Sequence, residues 1–447
     1  MQDVIRVLSL QDYNTRIVFL GTTALGAVSG MIGTFLLLRK RSLLSDTISH
    51  ATLPGIALTF IIFETLTGFG KSLPLLLLGA LLSGLAGMGM VILIRKHSSI
   101  KDDAALAIVL SVLFGLGISL ITLIQQMPTG NAAGLEQYIY GKAASMTTHD
   151  MHLILSITII VAIVGILFYK EFAILCFDVN FAVSQGLPST RLDIILMSLI
   201  VVITVIGLQA VGLLLVVALL IIPAAAARFW SERLFINCLL STILGAISCF
   251  IGITCSALFP KLPAGAIIVL AASLVFALSM IFGTSRGLLI RFLTHYQLTQ
   301  RVQRQHLLRA CYEHLETSGA LQNKTDPDIP FDAILTHRLW SKQELEHNFK
   351  KAVREGLLEL KAKNVFRMTD NGWGQAQRVV RNHRLWEMYL IEYADIAPGQ
   401  VDRDADAIEH ILEPELMHQL EDLLQAGRYG LKVPTSPHKL QPAELIP

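Results

Sequence analysis

Charge is scarce in the first two thirds of this chain. Only 16% of its 447 residues are Asp, Glu, Lys or Arg, and those between about 17 and 290 are confined to short islands. That composition excludes an ordinary soluble domain there. Cysteine is rare too: Cys176, Cys238, Cys249, Cys255 and Cys311 form no CxxC pair and no even framework, which argues against disulfides and a thiolate zinc site. A GxxxxGK[ST] phosphate loop is missing, so any ATP must be hydrolysed by another polypeptide, and this chain reads as no enzyme. The opening MQDVIRVLSLQDYNTR carries acids and lacks the pattern of a cleaved secretory signal. A net charge of +2 is too small to argue by itself for nucleic acid.

What the chain has instead is apolar runs. They fall at about 17–38, 51–66, 73–94, 104–124, 151–169, 194–208, 210–227, 234–257 and 264–284, and a helix crosses the hydrocarbon core in roughly 20 residues. The sixth and seventh are short and parted only at Gln209–Ala210, so they also read as one long broken helix. Arg39, Lys40, Arg41, Arg95, Lys96, Lys101, Lys170, Arg191, Arg228, Arg233, Arg286 and Arg291 all fall on one side of a nine-span arrangement. That bias predicts the N-terminus outside and the C-terminal part in the cytoplasm. The many Gly and Ala residues suit close helix packing in lipid.

Ionisable side chains at membrane depth are costly and tend to be functional. Asp46 and His50, at i and i+4 in SLLSDTISHATLPGIAL, share one helix face. A carboxylate beside an imidazole suits a borderline divalent ion, though the same pair could simply pin a helix end. The string RKRSLLSDTISHATLPGIAL, with GLQAVGLLLVVALLIIPAAAARFW at 207–230, resembles the zinc/manganese/iron permease family of ABC importers over about 1–290. The resemblance implies that Asp46 and His50 lie on the ion path. It also implies a dimer with a second permease chain, identical or not, an ABC ATPase subunit and an extracytoplasmic metal-binding protein. The polar stretch CFDVNFAVSQGLPSTRLD, with Asp178, Gln185 and Gly186, looks like the coupling helix that docks on the ATPase.

Past Arg286 the sequence changes character. RGLLIRFLTHYQLTQRVQRQ is basic and amphipathic, as suits a juxtamembrane helix whose cations meet membrane lipid, and it could also run on into the next domain. Residues 303–319 predict a helix with Leu307, Leu308, Cys311 and Leu315 on one stripe. A loop LQNKTDPDIP and a short helix FDAILTHRL precede Ser341, an N-cap that forms a capping box with Glu344. The stretch LLELKAKNVFRMTDNG reads as a hairpin about Lys363–Asn364. Helix–turn–helix plus hairpin is a winged helix. Ser341, Lys342, Gln343, His347, Lys350 and Lys351 are candidates to face promoter DNA, with Lys361 and Lys363 on its backbone; such modules also bind proteins.

The densest chemistry follows. His383 and Glu387 stand at i and i+4 on one helix, and Asp402, Asp406, Glu409 and His410 share a face of the next. Mixed carboxylate–imidazole donors without thiolate suit Fe(II), Mn(II) or Zn(II). Residues 303–430, with LRACYEHL, MTDNG, HRLWE and DAIEH, resemble the diphtheria-toxin-repressor family of metal-dependent regulators. The resemblance implies a regulatory metal site of His306, Asp406, Glu409 and His410 and an ancillary one of His383, Glu387 and Asp402. The chain departs from the family at 306, 402 and 406, where its residues are His, Asp and Asp. A permease–repressor fusion resembles those of chlamydial iron transport, which favours Fe(II).

The expected fold is an all-α polytopic membrane domain of about nine transmembrane helices, followed by a cytoplasmic winged-helix (α+β) domain with a helical dimerisation and metal-binding segment. The expected divisions are 1–290 permease, 291–302 linker, 303–370 winged helix, 371–430 metal-binding helices and 431–447 tail. The expected function is a permease subunit of an ATP-driven metal importer in a bacterial inner membrane, carrying a metal-dependent transcriptional repressor. Proteolytic release of the repressor within 286–330 would let it reach the chromosome. The alternative is a metal-sensing intramolecular brake on transport that never binds DNA.

Overall fold

In hydrocarbon a backbone can satisfy its polar groups only within its own segment or a closed barrel, so apolar runs of this length become helices. The computed structural model describes residues 12–39, 42–67, 72–126, 146–259, 263–320, 327–336 and 340–393. The chain divides into two units, Met1–Arg291 and Phe292–Pro447.

The first unit consists of α1 (Tyr13–Leu38), α2 (Ser42–Thr67), α3 (Leu73–His97), α4 (Asp102–Gln125), α5 (Thr148–Leu167), α6 (Tyr169–Phe177), α7 (Val179–Ser184), α8 (Ser189–Val211), α9 (Leu213–Ala227), α10 (Leu234–Leu258) and α11 (Ala264–Phe282). Among the described residues eight of these are long and apolar enough to cross a membrane; α9 is apolar but shorter. The nine apolar runs map onto those nine helices. The break between the sixth and seventh falls at Gly212, whose φ of 87° is open to glycine and strained for any other residue.

Helices α1, α2 and α8 are the most enclosed, and α4 and α11 bury only about a fifth of their apolar windows. The rest presents Leu, Ile and Phe outward, as a lipid-facing surface does. Helix α1 is the hub, packing on α10, α9 and α5, while α2 packs on α3 and α4. Small residues make the close approaches possible. A Cβ on Gly30 would lie 2.2 Å from the Ser241 carbonyl oxygen of α10, and one on Gly33 1.8 Å from that of Leu220 in α9. At the same contact Thr34 Oγ1 and Ser241 Oγ share a buried hydrogen bond of 2.7 Å.

The second unit begins within α12 (Leu288–Thr317), one unbroken helix where the sequence left open a separate linker helix. It continues through β1 (Ile329–Pro330), α13 (Phe331–Leu335), α14 (Lys342–Arg354), β2 (Leu358–Ala362), β3 (Val365–Met368) and α15 (Asp370–Tyr393). The strands form one antiparallel sheet in the order β1-β3-β2. The hairpin turns at Lys363–Asn364, where Asn364 takes φ 63°. Strand β1 falls where the sequence predicts a loop; two residues carry too little alternation to be seen. The core joins Leu307, Leu308, Cys311 and Leu315 of α12 to Phe349, which stacks on Phe366 at 4.2 Å between ring centres. Gly319 and Gly356, both at φ 71°, end α12 and α14.

Candidate metal path and metal-sensing site

Helix α2 carries an unusual load for a membrane helix: Ser45, Thr47, Ser49 and Thr52 are all buried. Most turn their hydroxyls back on carbonyls of their own helix, as Ser49 does to Ser45 and Thr52 to Ser49. Asp46 and His50 stand out because they face each other, Nε2 to Oδ1 at 3.4 Å, with the imidazole largely buried and the carboxylate half-exposed. The imidazole lies edge-on to Phe114 of α4 at 4.6 Å. Its Nδ1 is buried with no hydrogen-bond partner among the described residues. One nitrogen and one carboxylate thus converge on a point that a divalent ion could occupy in place of a proton.

At one end of the bundle, helix termini far apart in sequence are tied by charge. Arg39, at the end of α1, donates to the Leu175 carbonyl of α6 and to Asp193 Oδ1 of α8, each at 3.0 Å. Arg95 of α3 meets Asp102 of α4 at 2.9 Å and lies 3.9 Å from the other Asp193 oxygen. Between Leu175 and Asp193 runs the polar stretch singled out in the sequence. Asp178 caps α7 by accepting from the Asn180 and Phe181 amides at 2.8 and 3.1 Å. Gln185 follows α7, and Gly186 at φ 76° turns the chain back. Phe177, Phe181 and Val183 lie more than half exposed around this turn. Sequence reading gave Asp193 no role, because its partner Arg39 is 154 residues away and no local pattern links them.

In the second unit the capping box of Ser341 and Glu344 is present, with Ser341 Oγ accepting from the Glu344 amide at 3.2 Å. Lys342, Gln343, His347 and Lys350 are exposed along α14. Lys342, Lys350, Arg354 and Lys363 line a groove between α14 and the hairpin, with Glu346 among them. The Lys350 ammonium beside Glu346 holds that carboxyl below its ordinary value. Lys351 turns the other way, donating to Gln300 of α12. Lys361 lies 3.7 Å from Glu359. Arg354 was not anticipated, although as a cation in the last helical turn beside the hairpin it could have been.

His383 and Glu387 of α15 are buried and paired, Nε2 to Oε1 at 3.2 Å. Arg309 of α12 donates to His383 Nδ1 at 3.0 Å and to Glu313 at 2.6 Å, and Arg384 clasps Glu316. The arginine occupies Nδ1, so the imidazole nitrogen that could bind an ion is Nε2, which already faces the carboxylate. That donor pair fits a divalent ion of nitrogen and oxygen preference. No group of three or more His, Cys, Asp or Glu is gathered among the described residues. His306 is half-buried on α12, and Asp402, Asp406, Glu409 and His410 lie outside the described residues.

Comparison with known proteins adds to this geometry. Residues 11–283 match the ABC 3 transport family, and residues 369–437 match the domain described as iron dependent repressor, metal binding and dimerisation. The chain is 36% identical over 397 residues to the manganese transport system membrane protein MntC of Bacillus subtilis, covering 89% of this chain and 88% of that one. It is 39% identical over 301 residues to the zinc transport system membrane protein TroC of Treponema pallidum, covering 67% and 97%. It is 27% identical over 425 residues to a Chlamydia trachomatis protein named "Probable metal transport system membrane protein", covering 92% and 93%. Among solved structures, PsaBC from Streptococcus pneumoniae in complex with Fab matches with a TM-score of 0.56 and 29% identity, over 64% of this chain and 97% of that one. This multi-pass membrane chain, with its repressor-type metal-binding domain, belongs to the ABC 3 transport family.

Proposed function

We propose that this chain is the permease subunit of an ATP-driven importer of a divalent transition metal and that its second unit is a metal-dependent transcriptional repressor. The observation that carries the reading is the Asp46–His50 pair on the polar face of a transmembrane helix, in a chain that also matches a metal-binding repressor domain. Metal would pass Asp46 and His50, while α7 with Asp178, Gln185 and Gly186 docks on a separate ABC ATPase. An extracytoplasmic metal-binding protein would deliver the ion, and a second permease chain would complete the path.

In the second unit the groove of Lys342, Lys350, Arg354 and Lys363, with Ser341, Gln343 and His347 beside it, would rest on promoter DNA. His306, Asp406, Glu409 and His410 would hold the regulatory ion, and His383, Glu387 and Asp402 the ancillary one. A bound ion supplies positive charge that bridges helices and favours one arrangement of the domain. Relatives named for manganese and zinc leave both open beside Fe(II). The second unit lies in the cytoplasm in this reading, and cleavage within 286–330 would release it.

The test has two arms. Proteoliposomes containing this chain with its ATPase and binding protein should take up metal only with ATP, and Asp46→Asn with His50→Ala should cut uptake about ten-fold or more. The full chain in nanodiscs should bind a labelled duplex from its own transport-gene promoter only with Fe(II), Mn(II) or Zn(II), and Glu409→Ala with His410→Ala should abolish the response. Uptake unaffected by the first variant would sink the proposed path, and DNA binding without metal dependence would sink the sensor.

A further inference from the structure

The start of α12 carries an exposed apolar face. Leu288, Leu289, Phe292, Leu293 and Tyr296 are 51, 43, 68, 47 and 56% exposed. Their spacing of i, i+1, i+4, i+5 and i+8 places them on one stripe of a little over two turns. Arg291, Thr294, Gln297 and Arg301 occupy the opposite and flanking positions, with Ile290 and Leu298 on the same side as Thr294. Five large apolar side chains side by side on one helix make a continuous patch of the kind that marks an interaction surface.

The bend that precedes this helix is tied to the end of α9. The Gly283–Gly287 bend separates it from the end of α11, and the Ser285 and Arg286 amides donate to the Phe229 carbonyl just past α9, at 2.9 and 3.1 Å. Arg286 also pairs with Glu232 at 3.2 Å. The stripe therefore begins at the level where two membrane helices end. Its charge is one-sided as well: no Asp or Glu occurs from Ser285 to Tyr312, whereas Arg286, Arg291, Arg301, Arg304 and Arg309 do. Arg286 is paired with Glu232 and Arg309 with Glu313, which leaves Arg291 as the cation beside the stripe. An anionic lipid surface offers hydrocarbon to the stripe and phosphate to its rim.

We propose that Leu288–Tyr296 is an interfacial lipid-binding helix, with its apolar stripe sunk at the headgroup–acyl boundary of an anionic leaflet and Arg291 at the phosphates. The helix runs unbroken to Thr317 and supplies Leu307, Leu308 and Cys311 to the core of the second unit. Lipid composition thereby becomes an input to the helix on which that unit is built.

The test uses the full chain in nanodiscs of phosphatidylethanolamine and phosphatidylglycerol whose acyl chains carry bromine near the headgroup. A bimane fluorophore is placed on Phe292→Cys or Tyr296→Cys, and separately on Thr294→Cys or Gln297→Cys, with the parent's own labelling subtracted. Quenching by brominated lipid should be at least three-fold stronger at 292 and 296 than at 294 and 297. Arg291→Gln should weaken it when phosphatidylglycerol is present and change little in a zwitterionic disc. Equal, weak quenching on both faces would overturn the proposal. So would an unquenched 292 position that forms disulfides with a second copy, since the stripe would then be a protein interface. Native elution and retained labelling stoichiometry show that each variant is folded.

Discussion

At the scale of residues, two buried or half-buried charge networks tie together helices distant in sequence. Asp193 binds Arg39 at 3.0 Å, and Arg39 holds Leu175, so one guanidinium spans both ends of the α6–α8 connection. In the proposed coupling, a push on α7 would reach the end of α1 through this planar fork. Arg39→Gln is expected to lower ATP-driven metal uptake about ten-fold or more while leaving ATP hydrolysis within about two-fold, since the motor keeps running without its linkage. Arg39→Asp with Asp193→Arg should recover part of the loss. Uptake and hydrolysis falling together would instead indicate a folding defect. The second network holds Glu387, fully buried against His383 and, through it, Arg309. Glu387→Ala leaves the buried His383 Nε2 without its carboxylate partner, and should destabilise the second unit by about 1–3 kcal/mol. Cys311 reports it directly. Burial pushes its thiol well above the ordinary value, so alkylation marks only opened molecules. The denaturant midpoint for Cys311 labelling should drop in the variant; an unchanged midpoint would remove the network from the stability of the unit.

At the scale of elements, most of the architecture was legible because apolar run length and helix caps act locally. All nine runs became helices, and the Ser341 capping box formed as spaced. What escaped depended on contacts or on very short segments. The break between α8 and α9 sits at Gly212, three residues beyond the polar Gln209 that suggested it, because only glycine adopts φ 87° without strain. The pairing of β1 with β3 joins residues more than thirty apart and shows no local pattern. Within the candidate sites the local pairings were legible in the same way: Asp46–His50 and His383–Glu387 met as i, i+4 helical spacing requires. Arg309 on His383 and Arg39 on Asp193 were invisible, since each partner comes from a distant helix. Close helix packing gives this scale its own test. A methyl on Gly33 would overlap the Leu220 carbonyl at 1.8 Å, a backbone atom that cannot rotate away. Gly33→Ala should force α1 from α9, cost about 1–3 kcal/mol and lower the melting temperature in detergent, whereas Gly89→Ala, with open space around it, should change it little.

At the scale of the whole molecule, the question is why a transporter and a repressor-type domain share one polypeptide. Two answers make opposite demands on the same truncation. If the second unit is a repressor, a chain ending at Ile290 keeps the bundle and the α6–α8 linkage that Arg39 holds. Uptake per molecule should then be unchanged, and metal-replete cells should lose repression of the transport genes. If the second unit is a brake, cytosolic metal acts through it on transport itself. The truncated chain should then continue importing in proteoliposomes preloaded with metal, where the full chain slows, and promoter activity should not change. Lipid binding by Leu288–Tyr296 adds a constraint to the first answer: a repressor held by that helix reaches only DNA drawn to the membrane. Repression should then require either cleavage past Tyr296, seen as a shorter C-terminal fragment on a blot, or a promoter that crosslinks to the membrane fraction. Metal-dependent repression with only full-length chain and no promoter at the membrane would rule out DNA binding by the second unit and leave the brake.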